Sequence, residues 1–234
     1  MTDLEIHHHP SLAIDLVILT ITTGRLCTVV LPRDDLTKGV FALPGGFVHY
    51  GTSLDQTVRR VLADKTGLVG ITFEQLATYG DPSRDPRGHV VSVAYIAMQP
   101  FADMRMAGTA KGWQLAEIRV DWPGAAGGVA MAMAMAQGAA LPLAFDHAAI
   151  LGDTVRRLRG KIDYSLIAFS FLPARFTLRQ VQEVHEAILA RPLLKPAFRR
   201  KLLDRGILRE TGQMETGSAY RPAALFELIP STVE

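Results

Sequence analysis

The chain has 234 residues, more than one small domain needs and enough for two domains with cores of their own. Hydrophobic residues make up 48% and charged residues 21%. No apolar run reaches the roughly 18 residues of a membrane span, and MTDLEIHHHP lacks the basic and apolar regions of a signal peptide, so the cytoplasm is expected and a membrane partner is not. The net charge of +2 hides a division: residues 1–150 carry 11 Lys/Arg against 14 Asp/Glu, and residues 151–234 carry 14 against 9, which assigns any polyanion partner to the C-terminal part.

In chain order, His7, His8 and His9 form a short run that reads as a terminal tail rather than a ligand set. LAIDLVILTIT at 12–22 and LCTVVL at 26–31 are β-branched apolar runs around Thr23-Gly24, the pattern of two paired strands. Cys27 is alone in the chain and lies inside the second run, so it is expected to be buried and without a disulfide. A polar loop and the strand before Pro44 lead to GGFVHYGTSLDQTVRRVLADKTGL at 45–68. Ser53 with Gln56 makes a capping box, and Leu54, Val58, Val61 and Leu62 share one helical face; Gly67 is the stop.

That stretch resembles the Nudix box, in which a glycine, spaced glutamates and an Arg-Glu-apolar-any-Glu-Glu segment lead to a final glycine. Gly46, Arg60, Leu62 and Gly67 match the pattern. Thr52, Val61 and Lys65 stand where the family has glutamates, and Asp64 keeps the one remaining carboxylate. In the family those acids hold divalent metal against a diphosphate, and Mg²⁺ requires several oxygen ligands. The resemblance therefore implies a Nudix fold kept for binding, with no catalytic residue and no metal site.

Residues 71–79 and 90–98 read as strands flanking YGDPSRDPRGH, a turn-rich loop with Asp81, Arg84, Asp85 and Arg87. Guanidinium forks match phosphate oxygens, so Arg84 and Arg87 are candidate ligand contacts. With them we group Gly46, His49, Arg60 and Asp81. Trp113 to Trp122 holds another strand. GAAGGVAMAMAMAQGAALP at 124–142 is either an apolar helix over 129–137, in a flexible insertion, or a strand, and its periodicity leaves both open. Asp146 is the expected cap of a helix with Ile150, Leu151, Val155 and Leu158 on one face, closing a first domain at 1–161.

The second domain, 162–234, has a different grammar. Thr177 and Gln180 form another capping box before the stripe Leu178, Val181, Val184, Ile188 and Leu189. Arg191-Pro192 breaks that helix, and Pro196 opens a shorter one ended by Gly206. ILRE, a glycine-bounded turn and YRPAALFEL follow as a hairpin. This is a helix-turn-helix with a wing. The face of the second helix away from Phe198 and Leu202 holds Arg200 and Lys201, the candidates for base edges, with Lys195 and Arg199 at its margins for phosphates. Thr177 and Arg221, in the wing, complete the expected DNA contacts.

Taken together, FALPGGFV, the YGDPSRDPRG loop, LAFDHA and FTLRQVQEVHEAIL with FRRKLLDRGIL resemble the Nudix-related transcriptional regulators of NAD metabolism. The implied architecture is α/β, a Nudix-like mixed sheet sandwich followed by a winged helix-turn-helix domain. The implied function is repression of NAD-related genes by a homodimer on a near-palindromic double-stranded operator, with ADP-ribose or a related nucleotide as effector and no bound cofactor. The competing expectation is an active Nudix pyrophosphatase acting on ADP-ribose or a similar nucleoside diphosphate. The insertion at 124–140 departs from the resemblance.

Overall fold

The computed structural model describes residues 9–33, 35–107, 112–216 and 222–230. His7, His8 and Arg221 lie outside the described residues. Strands β1 (Ser11–Thr22) and β2 (Arg25–Pro32) pair antiparallel, with Thr22 opposite Arg25. Both turn residues between them, Thr23 and Gly24, take positive φ (50° and 70°), as a two-residue hairpin of right-handed twist demands.

The main sheet runs β5 (Phe73–Tyr79), β6 (Val90–Met98), β1, β2, β7 (Gln114–Arg119), β8 (Met131–Ala134), β9 (Ala140–Leu141), with β1 and β6 parallel. Beside this path β3 (Phe41–Ala42) pairs with β2, and β4 (Gly45–Phe47) pairs with β1. The long β1 thus has two partners on one edge. Ala13–Asp15 bonds β4, whereas Leu19–Thr22 bonds β2, so the sheet splits along β1. Only glycine permits the β4 pairing: a Cβ on Gly45 would come within 2.7 Å of the Ile14 carbonyl.

Alternation along β1 feeds two cores. Ile14, Leu16 and Ile18 meet Val58, Val61 and Leu62 of the box segment, where α1 (Leu54–Val61) passes into a π-helical turn at Leu62–Thr66. Val17 and Leu19 point the other way, towards Ile150, Leu151, Val155 and Leu158 of α3 (His147–Lys161). The short α2 (Phe101–Ala107) adds Met104 to the α1 side. The expected Ser53–Gln56 capping box is formed, and Gly67 closes the turn at φ 75°.

One alternative left open by the sequence is decided and one expectation changes. The 124–142 stretch contains strand β8, and it is packed: Ala132 is buried, and the Ala130 N–H donates to the Ala148 carbonyl of α3. Gly152 permits this, since a Cβ there would overlap the Gly128 carbonyl. Asp146 sits at the N-cap of α3 without a side-chain capping bond, because its carboxylate is taken by Arg84.

Helices α4 (Leu178–Leu189) and α5 (Lys195–Asp204) and the hairpin β10 (Leu208–Met214) with β11 (Ala224–Leu228) enclose a third core of Phe169, Phe176, Val181 and Leu202. Phe176 bridges Phe226 in both directions at 2.9 and 2.8 Å, adding one residue of a third strand. The junction has no slack. In the turn Ile167–Phe171, Ile167, Ala168 and Phe171 join the α3 core while Phe169 joins the third; Val184 and Ile188 of α4 also face the α3 core.

Candidate functional site

The split along β1 opens a cavity of about 620 Å³ between β1 and β4 on one side and the end of β2 on the other. Its base is a buried ionic cluster. Asp15, the one charged residue of β1, accepts from Arg84 Nη2 at 2.9 Å and from the Ser92 hydroxyl at 2.7 Å. Arg84 also meets Asp146 through Nε at 2.9 Å and Nη2 at 2.6 Å. His147 Nδ1 lies 3.0 Å from the Leu43 N–H, and its Nε2 lies 3.3 Å from Asp15 Oδ1. Burial alone would raise the Asp15 carboxyl, but His147, Ser92 and Arg84 outweigh it and hold the group at about 2. Asp15, Asp146 and His147 lie close enough together to ligate a metal, yet the cation between the two carboxylates is the Arg84 guanidinium.

The rim is aromatic and cationic. Arg87 lies 5.2 Å from the Phe145 ring centre and 5.9 Å from that of Phe47, and Arg33 lies 5.4 Å from Phe145. Each arginine is steadied by a neighbouring acid: Arg87 by Asp85 at 2.9 and 2.7 Å, Arg33 by Asp35 at 2.7 and 2.8 Å. The bond from Arg87 holds Asp85 below the usual carboxylate range. Phe145 takes φ 56°, a conformation that costs a β-carbon residue about 1–2 kcal/mol.

Of the expected ligand residues, Gly46, Arg84 and Arg87 line the cavity; His49, Arg60 and Asp81 do not. Arg84 is 8% exposed and its Nε and Nη2 donate to Asp15 and Asp146, so it holds the base of the cavity together. Arg60 donates to the Phe47 carbonyl at 2.8 Å and so ties α1 to β4. Asp81 closes its own turn by accepting from the Ser83 N–H and hydroxyl, and His49 is exposed. Among the box positions, Asp64 and Lys65 line the cavity, Val61 is buried in the α1 core, and the Thr52 hydroxyl donates to the His49 carbonyl. The sequence reading missed Asp15, Arg33, Phe47, Phe145 and His147. A lone acid inside LAIDLVIL was the signal that could have found Asp15.

The winged helix presents a second surface. Lys195 and Arg200 are exposed on α5, and Arg199 is half-buried. Lys201, expected to face base edges, instead turns to the junction and pairs with Asp163 at 2.8 Å. Thr177, expected to contact DNA, is 2% exposed and uses its hydroxyl to cap α4 at the Gln180 N–H. Thr177 is claimed by an orphan N–H at the start of α4, whereas Lys201 is drawn to the opposite charge of Asp163.

Residues 168–228 match the family model described as the NrtR DNA-binding winged helix domain. The structure is similar to the NrtR of Shewanella oneidensis solved with a 27mer DNA, at a TM-score of 0.73 and 34% identity over 93% of both chains. An ADP-ribose pyrophosphatase of Methanocaldococcus jannaschii is 30% identical over 65% of this chain and 77% of its own length. The ADPR-responsive transcriptional repressor NtrR of Acinetobacter baylyi is 33% identical over 93% of this chain and 81% of its own length. With that extent of identity, a sheet domain carrying a Nudix-box helix and a matching winged helix, the chain belongs to the NrtR family of Nudix-domain transcriptional regulators.

Proposed function

We propose that this protein represses NAD-related genes as a homodimer on a near-palindromic operator, and that ADP-ribose bound in the sheet cavity sets its affinity for DNA. The observation that carries this reading is the cavity itself: Arg33, Arg87 and Lys65 edge it above Arg84, two phenylalanines flank it, and of the box acids only Asp64 is kept. A diphosphate suits Arg33, Arg87 and Lys65, and a flat base suits Phe47 and Phe145. Arg84 serves as a positioning residue. The division at 161/162 into a ligand-sensing and a DNA-binding domain is supported by the end of α3 at Lys161.

The relative named as an ADP-ribose pyrophosphatase favours a second reading, a working hydrolase. The residues present do not suit its metal. Val61 is buried against apolar neighbours, Thr52 bonds its own loop, and Lys65 places an ammonium beside Asp64. One experiment separates the two. Calorimetry with ADP-ribose, followed by product analysis in the presence of Mg²⁺ or Mn²⁺, should show binding and recovery of intact nucleotide. Turnover on the order of 1–10³ per second would overturn the binding-only reading. A gel shift on operator duplex with and without ADP-ribose then tests the regulation.

A further inference from the structure

The winged helix carries a groove of its own, and we propose that it binds a small organic anion with an apolar body, an aromatic or branched monocarboxylate, beside α5. The groove holds about 340 Å³ between the end of α4, the turn at 190–194, α5 and Asp163 of the junction. That lies within the range of small-molecule sites, about 300–1,000 Å³.

Its wall is apolar. Leu202 is buried, Leu193 and Phe198 are half-buried, and the Phe198 ring meets His185 edge to face at 4.9 Å. His185 is itself buried, with Nδ1 2.8 Å from the Val181 carbonyl, and burial lowers its pKa, so it adds a neutral ring to the wall.

The rim is cationic and only partly satisfied. Lys201 has Asp163, and Arg205 donates to the Tyr164 and Ser165 carbonyls at 3.3 and 3.0 Å. Arg191 lines the groove; its side chain makes no hydrogen bond or close ion pair among the described residues, and its charge reaches only as far as helping Lys201 to lower the Asp163 carboxyl across the rim. An exposed guanidinium over an apolar wall calls for a ligand with both characters. A carboxylate would take the Arg191 fork, and its hydrocarbon would cover Leu193 and Phe198. A phosphodiester backbone would meet the cations but leave that wall in water. The site is separate from the sheet cavity and does not depend on what that cavity binds.

The test is a titration of the full chain, without DNA or nucleotide, with benzoate and 1-naphthoate, and with benzamide as the neutral match, followed by NMR and calorimetry. The carboxylates should saturate below about 10 mM, and benzamide should bind about tenfold more weakly. Arg191→Ala should weaken the acids about tenfold, while Arg87→Ala, in the other cavity, should leave them unchanged. The proposal is overturned by an absence of saturable binding, by equal binding of acid and amide, or by a loss that follows Arg87→Ala instead of Arg191→Ala.

Discussion

Arg84 and Arg87 stand three residues apart in one loop and have opposite fates. Arg84 is enclosed by two carboxylates, whereas Arg87 is half-exposed with one acid at its back and two rings beside it. Removing a partner from a buried ion cluster strands its charges, at a cost of about 3–5 kcal/mol. Arg84→Met should therefore lower stability by that order in urea unfolding, and Arg87→Ala should weaken ADP-ribose in calorimetry with little change in stability. Asp15 adds a pH dependence. Its folded value of about 2 lies below the ordinary 3.8, so folding favours the ionised form. That contribution is complete above about 3.8 and fades as pH falls through about 2. Acid unfolding of the parent should show this loss over that window, and Asp15→Asn, already weaker at neutral pH, should show less of it.

The elements best read in the sequence were those whose signals are local. Two capping boxes, the hairpin at Thr23-Gly24 and the apolar stripes of α1 and α4 depend on neighbours within a few residues, and all formed where expected. The sites were harder to read, since their partners are distant in the chain. Nothing near Arg84 announces Asp15, 69 residues away, and nothing near Lys201 announces Asp163, 38 away. The AMAMAMA run gave equal claims to helix and strand, and pairing with β7 decided for the strand. On α5 the consequence can be measured. A cation that neutralises a phosphate contributes about 0.9 to the slope of log affinity against log salt, so losing one in each subunit of the proposed homodimer lowers it by about 1.8. Arg200→Ala should lose operator binding more than random-duplex binding, and Arg199→Ala should weaken both with that change in slope. Lys201→Ala, whose ammonium is held by Asp163, should change the slope least. Gel shifts over a salt series on operator and random duplexes would show the order, and a larger effect at Lys201 than at Arg200 would return Lys201 to the DNA face.

At the scale of the molecule, the winged helix is mounted on the sheet domain through a wall that both share. Side chains of 167–171 divide between the two cores, Arg159 bonds the Ile188 carbonyl at 2.9 Å, and Arg205 holds the junction carbonyls. Such a wall could not be read from sequence, because its residues look like the ordinary core of either half. It also denies the DNA reader a hinge. If two chains join through their sheet domains, the separation of their recognition helices is set by packed side chains and not by a tether that can stretch. One base pair inserted between half-sites moves the second by about 3.4 Å and turns it by about 35°, given about 10–10.5 base pairs per turn. A flexibly linked regulator would follow that displacement. This one should lose most of its operator affinity on the single insertion and regain part of it when a full turn is added, so that it discriminates operators by their phase as strictly as by their bases.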